Sequence, residues 1–286
     1  MSAPEVTRFA PSPSGYLHLG HAYSALFAAR QAGKGGRFLL RIEDIDLARV
    51  RPEYEAAIFE DLAWLGLTWE TPLRRQSDCL ADYAQALARL EARGLVYPCF
   101  CTRKEIAAEI AHAGAAPHGP AEQVYPGTCR RLNRAERDRR QDAGAAYALR
   151  LDMNHACGEA ETEHGGPLTW HDRGRGTQVC DPRALGDVVL ARKDVATSYH
   201  LSVVVDDAAQ GVTLVTRGED LFEFSHVHRL LQQLLGLPVP DYHHHRLITD
   251  DKGARLAKRA DALAIRALRE AGHSAGEVIA MTGLEP

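Results

Sequence analysis

His18 and His21 stand three residues apart in "PSPSGYLHLGH", where a proline-stiffened loop runs into an apolar helical pattern. A glycine-containing loop at a helix N-terminus suits a phosphate, because unpaired backbone N–H groups and the positive end of the helix dipole point at the anion. Two imidazoles add donors for charge developing on a phosphoryl group, and Gly20 leaves room for an adenine or ribose. Loss of one such donor typically costs roughly 100- to 1,000-fold in rate. A second cluster is "LLRIEDID", an apolar strand ending in Glu43, Asp44 and Asp46. Ligand clefts of doubly wound sheets form at the carboxyl ends of strands, so a carboxylate there can hold a substrate ammonium. The third is Cys99, Cys101 and Cys129. C-x-C with a distant third cysteine suits Zn2+, which favours thiolates in tetrahedral sites, and the residues leave a fourth ligand open among His112, His118 and Tyr125. Taken singly, each cluster also has a bland reading: loop histidines, a solvated acidic turn, three buried thiols.

These residues need elements to hold them. Ala22 to Ala32 reads as a helix and "GRFLLRI" as a buried parallel strand. Pro52 opens the amphipathic "EYEAAIFEDLAWLG", which Gly66 stops, and the next helix is capped by Ser77 and ended by Gly94. From Tyr97 to about Val195 the texture changes to cysteines, an arginine-rich helix and a polar Gly- and His-rich segment, which reads as an insertion. Strand signals return in "SYHLSVVVDD" and "GVTLVTRGEDL", followed by the helix "FSHVHRLLQQLLG" and a strand-like "HHHRLI". The tail is short and helical. Alternation of this kind favours an α/β sheet with helices on both faces.

Composition narrows the function classes. The 286 residues can bury a substantial core, and no apolar run is long enough for a membrane span. Thirty-four basic against 38 acidic residues argue against a bulk-charge grip on nucleic acid, so RNA contact needs a local patch such as "CRRLNRAERDRR". Six unevenly placed cysteines do not make a secreted disulfide framework. The expected address is the cytoplasm. Cys79, Cys157 and Cys180 read as ordinary thiols, and His243, His244 and His245 alternate faces of a strand in place of converging on a metal.

The ordered set "RFAPSPSGYLHLGH", "RIEDID", "SYHLSVVVDD", "VTLVTRGEDL" and "KGARLAKR" resembles the catalytic domain of class I glutamyl-tRNA synthetases, whose HIGH and KMSKS motifs bind ATP. The resemblance spans nearly the whole chain and is strongest to the shortened glutamyl-Q tRNA(Asp) synthetases. Full-length members continue into a large helical anticodon-binding region, whereas 28 residues follow Lys258 here.

The resemblance implies an α/β class I Rossmann-like nucleotide-binding fold with an inserted zinc-containing subdomain and a short helical C-terminal part. Residues 1–96 and 196–248 would be the two halves of the catalytic domain, and 97–195 the inserted, acceptor-binding-like subdomain. Residues 249–286 would carry the KMSKS-like loop and tail, with no anticodon-binding domain. Carried over by position, the glutamate pocket falls on Arg8, Phe9, Ala10, Pro11, Ser12, Glu43, Tyr199 and Arg217. ATP falls to His18, Gly20, His21 and Lys258, with Mg2+ accompanying it, and His18, His21 and Lys258 are the catalytic set. The KMSKS-like loop is Arg255, Leu256, Ala257, Lys258 and Arg259, where Arg255 and Ala257 replace the family's first lysine and serine. One structural zinc would sit on Cys99, Cys101, Tyr125 and Cys129. The implied reaction is tRNA-independent activation of L-glutamate by ATP, then transfer to the queuosine base in the anticodon arm of tRNA(Asp), by a monomer that touches no membrane. A catalytic-half synthetase charging the 3′ end of tRNA(Glu), and a non-catalytic zinc-containing RNA-binding paralogue, are the alternatives.

Overall fold

Apolar runs of four to six residues become strands, and 3.6-period stretches become helices, in a computed structural model that describes residues 4–112, 124–248 and 264–284. The first part runs β1 (Val6–Phe9), α1 (Leu19–Ala32), β2 (Arg37–Ile42), α2 (Pro52–Trp64), β3 (Arg74–Arg75) and α3 (Leu80–Ala92). Then come β4 (Val96–Cys99), α4 (Arg103–His112), α5 (Arg134–Asp142), β5 (Ala148–Leu151), α6 (Met153–His164), β6 (Thr169–Asp172), β7 (Gly176–Val179) and β8 (Val189–Ala191). The chain closes with α7 (Tyr199–Ala209), β9 (Leu214–Gly218), α8 (Phe224–Leu235), β10 (Asp241–His245), α9 (Ile265–Glu270) and α10 (Ala275–Met281).

β1, β2 and β3 pair in parallel, with Val6 opposite Arg37 and Phe9 opposite Leu40. A second sheet has the order β7-β6-β10-β9, in which β9 and β10 are parallel from Asp241↔Leu214 to His245↔Gly218. The two sheets abut where the Thr213 N–H donates to the Val6 carbonyl at 3.0 Å and the Val6 N–H to Thr213 Oγ1 at 2.9 Å. Along β2 the side chains alternate: Leu39 enters a core shared with α3, α6, α7 and α8, while Phe38, Leu40 and Ile42 enter a core shared with α1, α2, α9 and α10. Helices therefore cover both faces, and β2 is buried from Phe38 to Ile42 as a sandwiched parallel strand must be. A separate antiparallel sheet, β4-β5-β8, carries the cysteine cluster.

Three local expectations are corrected. "SYHLSVVVDD" is the helix α7, not a strand, because Leu201, Ser202, Val203, Val204, Asp206 and Asp207 are all buried and tertiary packing outweighs the β-preference of three valines. Ser77 does not cap a helix; its N–H and hydroxyl donate to the two Asp44 oxygens at 2.8 and 2.6 Å, and α3 starts after a short 3₁₀ turn. Helix α1 starts at Leu19, earlier than Ala22, because the His18 side chain itself caps it. Within 97–195, α6 and β6 join the larger core, and β6 meets β10 through Asp172 and Tyr242.

Candidate active site

The carboxyl ends of β1, β2, β9 and β10 meet at a cavity of about 440 Å³. Arg8, Phe9, Ala10, Pro11, Ser12, His18, Gly20, His21, Glu43, Tyr199 and Arg217 all line it. Lys258, with Arg255, Leu256, Ala257 and Arg259, lies outside the described residues.

On one wall the two histidines lock each other. The Gly20 N–H donates to His18 Nδ1 at 3.1 Å and the His18 N–H to His21 Nδ1 at 3.2 Å, so both rings serve as caps of α1. With Nδ1 accepting, each neutral ring carries its proton on Nε2. Burial lowers the His18 pKa and, with His18 beside it, pushes His21 down to about 3. The pair thus offers N–H donors at a helix N-terminus without being cationic beforehand. A methyl group on Gly20 would meet the His18 ring at 3.0 Å.

The opposite wall is charged. Arg41 is fully buried, reaching Asp207 at 2.7 Å, Glu43 at 3.2 Å and Asp206 at 3.7 Å. Arg8 Nε binds Asp207 at 2.9 Å, and Arg74 Nε binds Asp206 at 2.6 Å. Three arginines thus balance three carboxylates. Burial opposes ionisation of Asp207, but Arg8 and Arg41 outweigh it and hold its carboxyl below the usual range. At Glu43 burial wins over Arg41 and Arg8 and raises the pKa, and an ammonium ligand would favour the charged form.

Arg217 differs from Arg8. It is 6% exposed, and its bonds go to His244 Nε2 at 3.1 Å, His228 Nδ1 at 3.0 Å, Ser225 Oγ at 2.6 Å and, loosely, Tyr199 OH at 3.4 Å. None of these partners is an anion. A buried guanidinium without a carboxylate partner among the described residues, at the wall of a cavity, is a seat for a ligand carboxylate.

A family model described as tRNA synthetases class I (E and Q), catalytic domain, matches residues 5–284. The chain belongs to this family. Within the class I Glu/Gln synthetase family it is 54% identical to the Glutamyl-Q tRNA(Asp) synthetase of Rhodobacter capsulatus, over 98% of this chain and 100% of that protein. It is 44% identical to the protein of the same name from Nocardia farcinica, over 96% of this chain and 82% of that one. Among solved structures it is similar to a glutamate tRNA ligase from Elizabethkingia meningosepticum in complex with its amino acid. That likeness has a TM-score of 0.71 and 27% identity, and covers 95% of this chain and 54% of the other.

Away from the cavity, this class I synthetase chain gathers Cys99, Cys101 and Cys129, whose sulfurs lie within 4.8 Å of one another. Sulfurs bound to one tetrahedral zinc at roughly 2.3 Å stand about 3.8 Å apart, so the spacing fits. The Tyr125 hydroxyl is 3.6 Å from Cys101 Sγ and accepts the Cys129 N–H at 2.8 Å, which puts an oxygen at the cluster as a fourth donor atom. His118 lies outside the described residues, as does the His112 side chain. A second cavity, of about 530 Å³, is bordered by Tyr125 on one side and by Ser198, Tyr199 and His200 on the other. Tyr199 lines both cavities. The arginines of α5 are partly spent on their own helix, Arg139 and Arg140 both pairing with Glu136.

Sequence reasoning missed the supporting groups. Asp206 and Asp207 were quoted inside a presumed strand, and their partners Arg8 and Arg41 lie more than 150 residues away. Arg41 had a readable signal: it sits near the end of β2, two residues before Glu43, the spacing that puts side chains of an extended chain on one side. Asp172, Ser225, His228 and His244 carry no motif; only the fold brings them to Arg217.

Proposed function

We propose that the chain activates L-glutamate with ATP to glutamyl-adenylate and pyrophosphate, then transfers the glutamyl group to the queuosine base at the wobble position of tRNA(Asp). The observation that carries the amino-acid half is Arg217, a buried fork with neutral partners beside Glu43. Glutamate brings one ammonium and two carboxylates: Glu43 takes the ammonium, and Arg8 and Arg217 face the carboxylates. Support for the acceptor comes from relatives of that name matched along essentially their whole length.

The α-carboxylate attacks the α-phosphorus; one P–O bond forms while the bond to pyrophosphate breaks. The Nε2–H groups of His18 and His21 donate to the phosphoryl oxygens as negative charge builds, and Lys258 pairs with the phosphates. Positioning and electrostatics supply the catalysis, with no side-chain nucleophile. Mg2+ bound with ATP would neutralise phosphate charge. The acceptor then attacks the acyl carbon and AMP leaves.

Residues 1–96 and 196–248 form the two halves of the catalytic unit in this reading, 97–195 the RNA-facing insertion and 249–286 the late basic loop and tail. One structural zinc on Cys99, Cys101, Tyr125 and Cys129 braces the insertion, and the second cavity is the route by which the acceptor reaches the adenylate. We place the enzyme in the cytoplasm as a monomer. No described helix is long and apolar enough to cross a membrane. The test is glutamate charging of tRNA(Asp) with and without queuosine, beside tRNA(Glu). Charging only of the queuosine-containing tRNA is expected; glutamylation of the tRNA(Glu) 3′ end in its place would overturn the acceptor assignment.

A further inference from the structure

Two arginines face the amino-acid end of the cavity, and their negative charges are arranged differently. Asp207 bonds the Arg8 fork directly. Behind Arg217 an imidazole stands between it and Asp172: Asp172 Oδ2 meets His244 Nδ1 at 2.6 Å, and His244 Nε2 meets Arg217 Nε at 3.1 Å. The Asp172 and His244 side chains are completely buried.

An imidazole nitrogen accepts a hydrogen bond only when the ring proton sits on the other nitrogen. The Asp172 carboxylate can only accept at Nδ1, so it selects the Nδ1–H tautomer of His244 and leaves Nε2 as an acceptor. Two donors converge on that lone pair, Arg217 Nε and the Ser225 hydroxyl at 3.2 Å. His228 repeats the pattern: its Nε2 faces His200 Nδ1 at 3.3 Å and its Nδ1 accepts from Arg217 Nη1 at 3.0 Å. The fork is thus gripped from behind by lone pairs. The negative charge of Asp172 lies one ring away, where it offsets the guanidinium without occupying the N–H groups that a ligand needs.

We propose that Asp172 and His244 are positioning residues for carboxylate recognition: Asp172 sets the His244 tautomer, and His244 sets the orientation of the Arg217 fork toward the substrate carboxylate. This rests on the reading of the cavity as a glutamate site. Asp172 Oδ1 is separately bonded by the Gly174 and Arg175 N–H groups, both at 2.9 Å, and an asparagine keeps its own oxygen there. Its amide nitrogen then replaces Oδ2, losing the 3.1 Å bond from the His244 backbone N–H, and beside His244 Nδ1 it drives the ring proton to Nε2 and sets it against the Arg217 N–H.

The experiment is glutamate-dependent ATP–pyrophosphate exchange, without tRNA, by wild type, Asp172→Asn, His244→Leu and His244→Gln, with thermal unfolding of each. Asp172→Asn and His244→Leu raise KM for glutamate roughly tenfold or more and leave KM for ATP within about twofold. His244→Gln, whose side-chain oxygen can take the Arg217 Nε–H, stays within about threefold of wild type. Unchanged KM for glutamate in Asp172→Asn and His244→Leu overturns the inference. So does a fall in unfolding temperature with both KM values rising together, which is what a merely structural role predicts. If His244→Leu does not fold, Asp172→Asn decides by the same criteria. Wild type without glutamate-dependent exchange refutes the glutamate reading itself, and this inference with it, before any variant is compared.

Discussion

Replacing Arg217 by Gln separates binding from folding. A guanidinium has five N–H donors. One goes to His244, one to His228 and one to Ser225, while a fourth is spent on the 3.4 Å contact to Tyr199. Among the described residues one hydrogen on Nη2 is left uncommitted, and the Tyr199 contact is long enough to be exchanged, so a carboxylate can take two. Charged hydrogen bonds contribute about 1.5–3 kcal/mol each, so losing both costs about 3–6 kcal/mol, or roughly 150- to 25,000-fold in kcat/KM for glutamate. Arg217→Lys keeps the charge but not the fork and is expected to lose about 10- to 100-fold. Stability should change little: removing the guanidinium relieves a desolvation cost but leaves the buried His244 and His228 lone pairs without their donor, two effects of opposite sign. Arg217→Gln should unfold no more than a few degrees below wild type, while the rise in unfolding temperature that glutamate gives wild type disappears. Steady-state ATP–pyrophosphate exchange and thermal scans with and without glutamate measure both. A kcat/KM for glutamate within fivefold of wild type would refute the reasoning.

His18→Ala removes an Nε2–H donor and should lower kcat of exchange by roughly 100- to 1,000-fold with little change in KM for glutamate; equal loss in both parameters would place His18 in amino-acid binding instead. The pKa values of His21, His200 and His244 are pushed down from 6.5 to about 3, 4 and 4, chiefly by burial, so the folded state excludes protons that the unfolded chain binds. Their contribution to stability is therefore intact above pH 6.5 and lost as pH falls from there toward 4, at about 1.4 kcal/mol per pH unit for each ring. Urea unfolding between pH 7 and 5 reads this slope, and His200→Gln should make it shallower by about one proton; an unaltered slope counts against it. Elemental analysis should find one zinc per chain, lost in Cys129→Ser. Removal of the metal should impair transfer to RNA while leaving exchange near wild type, since the cluster shares no residue with the first cavity.

The opening loop was legible because its chemistry is local: the prolines, the capping histidines and Gly20 lie within eleven residues and fix their own geometry. Glu43 was legible because an apolar strand that ends in acid marks the edge where such sheets bind ligands. Helix α7 was not, because its valines favour strands in isolation and only burial on nearly every side makes them helical. The groups behind Arg217 could not have been found by spacing: Asp172, Ser225 and His244 come from three elements and meet only after β6, β9 and β10 align. Arg8 was expected to serve the ligand, and the structure shows it bonded to Asp207 as well.

The balanced wall of Arg8, Arg41 and Arg74 against Glu43, Asp206 and Asp207 also limits how the sequence can drift. Neutralising Asp207 alone takes the closest acid from Arg41, which has no exposed surface, and the carboxylate from Arg8, at a cost of about 3–5 kcal/mol, a large part of a typical domain's stability. Neutralising Arg41 alone leaves Glu43 without its 3.2 Å partner, while Asp207 keeps Arg8 and Asp206 keeps Arg74. A joint change of Arg41 and Asp207 to matched neutral side chains removes their mutual loss but leaves Arg8 without Asp207. Single steps lead downhill and the paired step still unpairs a third group, so the wall behaves as one heritable unit, and substitutions across β1, β2 and α7 should show strong epistasis.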